Sequence, residues 1–89
     1  MKVKELLINE NKWTHDNYAV DNNERIVSPQ SDKATKWCVI GAIIRCYPDL
    51  QLRVKIINKL GRYIRTGILV WNDTSTFKQI KSVIDKLDI

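Results

Sequence analysis

The chain has 89 residues, enough for one domain with a small core. Hydrophobic residues make up 44% and charged residues 28%, which excludes disordered, collagen-like and Pro-rich chains. The 15 basic residues outnumber the 10 acidic ones, for a net charge of +5.

From the N-terminus, Val3, Leu6 and Leu7 fall at helical spacing and predict a short helix over residues 3–10, with Trp13 anchoring the chain as it leaves. The apolar run Leu6-Leu7-Ile8 is too short for a signal peptide, and the longest apolar stretch, Trp37 to Ile44, is too short to span a membrane. A cytoplasmic location with reduced cysteines and no membrane partner is the expectation. Tyr18 to Asp21 and Glu24 to Val27 read as two short strands of a β-hairpin around Asn22-Asn23, because Asn tolerates the left-handed backbone of a tight turn.

Ser31 is the expected N-cap of a helix from Asp32 to Tyr47, stopped by Pro48. Its middle, Trp37 to Ile44, is apolar on every side, so this helix is expected at the centre of the core, with Gly41 and Ala42 admitting a close neighbour. Asp49 can cap the next helix, expected to end at Leu60 before Gly61, although continuation through Gly61 costs only about 1 kcal/mol. Leu50, Val54, Ile57 and Leu60 are assigned its core face, and Lys55, Lys59 and Arg62 its outer face. Gly67 to Trp71 reads as a buried strand or extended segment. Thr76 and Gln79 match a capping box at the start of a final helix reaching residue 87. The expected fold is one mainly helical α+β domain over residues 1–89: about four helices around a central hydrophobic helix, with one small hairpin.

These motifs, taken in order, resemble a family of short bacterial and phage proteins classed as a domain of unknown function. The resemblance rests on Trp13-Thr14, the turn from Asp21 to Arg25, Trp37-Cys38-Val39-Ile40-Gly41-Ala42, Trp71-Asn72-Asp73 and Thr76-Phe77-Lys78-Gln79-Ile80. Glu24 departs from it, standing where that family carries Gly, and Gln79-Ile80 replaces Glu-Val. The resemblance implies a compact helical domain and a phage or bacterial accessory role, such as modulating a host factor. It implies no activity.

Four constellations could carry chemistry. Cys38, with His15 as base and Asn72 or Asp73 orienting it, contains the parts of a cysteine-dependent hydrolase or transferase. A buried structural thiol is the favoured reading, because free Cys is among the most buried residue types. Cys38 and Cys46 are eight residues apart, about 12 Å along a helix, so they can share neither a zinc ion nor a disulfide. No metal or other cofactor is expected. Trp71-Asn72-Asp73 is read as a turn leading into the last helix.

The basic segment is the fourth. No acidic residue stands between Asp49 and Asp73, whereas Arg53, Lys55, Lys59, Arg62 and Arg65 do, so the whole net charge sits there. Clustered Lys and Arg with Tyr63 among them suit an acidic partner, either nucleic acid or an acidic protein surface. A small cytoplasmic binding protein with this basic face is the expected function. The Cys38 enzyme is the alternative, and a small-ligand binder with a pocket under Trp13, Trp37 and Trp71 is a further one.

Overall fold

The computed structural model describes all 89 residues and measures 34 × 28 × 20 Å. Five α-helices and a two-stranded antiparallel sheet make up the fold: α1 (Val3–Leu6), β1 (Ala19–Val20), β2 (Lys36–Trp37), α2 (Val39–Cys46), α3 (Leu50–Ile64), α4 (Ile68–Thr74) and α5 (Phe77–Leu87). The architecture is mainly helical, with one helix more than the sequence predicts.

The first helix is shorter than expected. It stops at Leu6, and a separate 3-10 turn over Glu10–Lys12 follows, capped by the Asn9 side chain on the Asn11 N–H. Leu7 is its C-cap, with its N–H on the Val3 carbonyl, and the Val3 and Leu7 side chains are both fully buried in the core cluster. The two predicted hairpin strands do meet, through a Val20–Ile26 bridge and a Val27 N–H to Ala19 carbonyl bond. The longer ladder, however, pairs β1 with β2, with Ala19 opposite Trp37 and Val20 opposite Lys36. The turn is built by Asp21, whose Oδ1 accepts from the N–H groups of Asn23 and Arg25. Its left-handed residue is neither Asn but Glu24, at φ 61°. Glycine takes such a backbone at least cost, and here a residue with a side chain adopts it.

The helix predicted over residues 32–47 begins at Val39 instead. Residues 28–33 form turns, closed by the Ser28 and Ser31 side chains on the N–H groups of Gln30 and Lys33. Lys36 and Trp37 are strand. An apolar run does not distinguish helix from buried strand, and pairing with β1 decides for the strand. The remaining helix is the core as expected: Val39, Ala42 and Ile43 are fully buried, each large side chain contributing about 1.5–3 kcal/mol. Gly41 has a specific reason. A Cβ there would stand 1.9 Å from the Tyr18 carbonyl oxygen, so only glycine lets the strand approach the helix.

Asp49 caps α3 through the N–H groups of Gln51 and Leu52. The helix runs through Gly61, contrary to the expected end at Leu60, and stops at Arg65 in the left-handed conformation. Its buried side is Ile56, Ile57, Leu60 and Ile64; Leu50 and Val54, expected in the core, are exposed. Ile57 and Leu60 thus keep the core face read off the sequence, while Leu50 and Val54 leave it and Ile56 joins it. Residues 67–71, read as a buried strand or extended segment, are the N-cap Gly67 and the first turn of α4; five residues are too few to show a period. The Thr76–Gln79 capping box opens α5 as predicted. The core closes around Ile80, Ile84 and Ile89, while Val3 N–H donates to the Ile89 carbonyl at 2.8 Å. No helix is long and apolar enough to cross a membrane.

Candidate functional site

Two surface features bring chemistry-bearing side chains together. The first is a cleft of about 670 Å³ lined by the loop Asp16 to Tyr18, the returning segment Ile26 to Pro29, the start of α2 at Cys38, and Leu69 and Asp73 of α4. Behind its wall lies Asn72, fully buried on α4. Asn72 Oδ1 accepts from Trp13 Nε1 and from the Val39 N–H, both at 2.9 Å. Its Nδ2 donates to the Thr14 carbonyl and to Asp73 Oδ1. Asp73 Oδ1 in turn accepts from the Asp16 N–H at 3.2 Å. Asn72 and Asp73 thus stitch α4 to the loop before β1 and to the first N–H of α2. The turn assigned to them does not exist, because both lie within α4. Asn72 serves α2 rather than the last helix.

Cys38 is the N-cap residue of α2, whereas the expected start at Asp32 would place it inside the helix. Its Sγ accepts from the Gly41 N–H at 3.3 Å, taking up a free donor of the first turn. The residue is only 1% exposed, and its thiol lies above its ordinary pKa, first because burial disfavours the thiolate and further because Asp73 carries like charge. His15 is exposed, with Nδ1 3.2 Å from Asp16 Oδ2 and its ring against Trp13. It does not line the cleft, and no hydrogen bond connects it with Cys38. Cys46, at the other end of α2, is held up to about 11 by burial.

The second feature is the outer side of α3. Lys55, Asn58, Lys59, Arg62 and Tyr63 line a shallow depression of about 440 Å³ with Leu87 of α5. Lys59 Nζ donates to the Leu87 carbonyl at 2.7 Å, and Lys86 of α5 lies 5.4 Å from the Tyr63 ring centre. Arg53 is turned away, donating to the Tyr47 carbonyl, and Arg65 is the left-handed C-cap. Of the five basic residues singled out in the sequence, Lys55, Lys59 and Arg62 therefore converge, and Arg53 and Arg65 flank them. None of the five forms an ion pair; the carboxylates that do pair meet Lys2, Lys4, His15, Lys36 and Lys81.

The pocket envisaged under the three tryptophans is absent from the cleft walls. Trp37 is buried, with Nε1 donating to the Pro29 carbonyl; Trp13 is tied to Asn72; Trp71 packs on the core. The cleft itself was not read from the sequence. Asp16 and Tyr18, Ile26, and Leu69 come from three separate segments and carry no shared motif. No known protein family, curated protein or solved structure matches the chain.

Proposed function

We propose that the chain is a binding protein that engages an acidic partner through the outer side of α3, consistent with a phage or bacterial accessory role. One observation carries this reading: Arg53, Lys55, Lys59, Arg62 and Arg65 account for the net charge, and no carboxylate of the chain neutralises any of them. Folded chains usually intersperse the two signs, and an uncompensated patch attracts polyanions and steers their approach. The Leu87 carbonyl holds Lys59 in place, so part of the ordering is done before a partner arrives. Exposed Leu50, Leu52 and Val54 on the same helix add apolar contact area.

The Cys38 enzyme is the weaker reading. A catalytic thiol needs a base within hydrogen-bond reach and a lowered pKa, whereas Cys38 is bonded to a backbone N–H and burial pushes its thiol up.

The test is a titration, followed by fluorescence anisotropy, of labelled duplex DNA, single-stranded RNA and a poly-glutamate peptide at 50 and 200 mM salt. Binding to one of these is expected. For a nucleic acid contacted through four phosphates, affinity falls on the order of a hundredfold between the two salts. K55E/K59E/R62E should abolish it while leaving the circular dichroism spectrum unchanged, since all three side chains lie on the exposed face. Retention of binding by the triple variant overturns the proposal.

A further inference from the structure

The cleft beside Cys38 combines two properties that differ from those of the α3 surface. Its walls are apolar and open: Tyr18, Ile26 and Leu69 are 48%, 72% and 45% exposed, with Val27 and Pro29 between them. Its charged groups are both carboxylates, Asp16 and Asp73, brought together by the Asp16 N–H to Asp73 Oδ1 bond. In a chain with 15 basic residues, no Lys or Arg pairs with either; His15 is the one ion-pairing neighbour of Asp16. Asp16 lines the cleft from a left-handed backbone at φ 73°. One oxygen of Asp73 is occupied by the Asn72 amide and the Asp16 N–H, and the other has no hydrogen-bond partner in the chain.

We infer that this cleft binds a small organic cation, an ammonium or guanidinium head carried on an apolar body. The volume of about 670 Å³ suits a small molecule. The head would lie between the Asp16 and Asp73 carboxylates, beside Tyr18, which lines the same cleft. The body would cover Ile26 and Leu69, which the fold otherwise leaves in water. The site is independent of the α3 surface and requires no chemistry at Cys38, which lines the cleft but is almost fully buried, with its sulfur already hydrogen-bonded.

Three probes of similar size test the assignment by amide NMR titration of the folded protein: phenethylammonium, neutral 2-phenylethanol and anionic 3-phenylpropanoate. Phenethylammonium should move the amides of Asp16, Tyr18, Leu69 and Asp73 saturably in the millimolar range, the alcohol more weakly, and the carboxylate not at all. D16N preserves tolerance of the left-handed backbone while removing one charge. It should weaken the cation roughly two- to fivefold, the range of a solvent-exposed ion pair, and leave the alcohol unchanged. Leu69→Ala should weaken both, through the lost apolar wall. Equal affinity for all three probes, or a D16N variant that binds the cation as the parent does, overturns the inference. K55E/K59E/R62E, which disables the α3 surface, should bind the cation normally, so failure of one site is read separately from failure of the other.

Discussion

Asn72 is the residue on which three segments meet. It is fully buried and makes four hydrogen bonds, two of them accepted from Trp13 Nε1 and the Val39 N–H. Asn72→Ala removes the acceptor and leaves both donors without a partner, one of them buried. Each such group costs about 1–3 kcal/mol, so the variant should lose about 3 kcal/mol. For a domain of this size that lowers the midpoint of thermal unfolding by roughly 10–20 °C. Calorimetry reads this directly, and a loss under 1 kcal/mol would mean that water replaces the amide. Nothing local in the sequence announces this role, since the two donors lie 59 and 33 positions away. Cys38 was legible as a buried thiol from its residue type. Its place at the helix N-cap was not, because that depends on where α2 starts.

At the scale of the elements, features set by neighbours in sequence were readable and those set by distant strands were not. The Asp49 cap and the Thr76–Gln79 box are local chemistry, and both hold. The start of α2 is moved from Asp32 to Val39 by pairing of Lys36–Trp37 with Ala19–Val20, a contact across about seventeen positions. The cleft follows from the same pairing, which brings the Tyr18 loop over α2, and so it was invisible beforehand. The two helical glycines separate these effects. Gly41→Ala would gain about 1 kcal/mol in helix propensity but drive a methyl group into the Tyr18 carbonyl at 1.9 Å. The neighbour is backbone and cannot rotate away, so the clash is expected near the upper end of overpacking costs, a net loss of about 2 kcal/mol. Gly61→Ala meets nothing within 4 Å and lies inside α3, so it should stabilise by up to about 1 kcal/mol. Denaturant midpoints moving in opposite directions are the expected outcome. A stabilised Gly41→Ala would contradict the close approach of strand to helix.

For the molecule as a whole, the basic stretch in the middle of the chain is left uncompensated while its two end segments are joined. Lys2 and Lys4 of the first segment both pair with Asp88, Lys81 reaches the Lys4 carbonyl, and the Tyr47 hydroxyl donates to Ile89. The hydrogen bonds and charges of Lys2 and Lys4 hold the Asp88 carboxyl at about 2, below its ordinary value near 4. A depressed carboxylate pKa means that the unfolded chain takes up this proton first as pH falls. Its stabilising contribution is therefore complete above about pH 4 and disappears as pH drops through about 2. Asp88 is at φ 57°, so Asp88→Asn keeps a residue that accepts the left-handed cap while deleting the charge. Urea midpoints of parent and D88N should differ most at pH 5–7, converge as pH falls from 4 towards 2, and also converge in 1 M salt, where exposed pairs are screened. Titration of Asp21, whose carboxyl is also lowered by the N–H groups of Arg25 and Asn23, is common to both proteins and cancels in the difference. A gap that stays constant over this window would show that packing of Val3 and Ile89, rather than charge, holds the ends together.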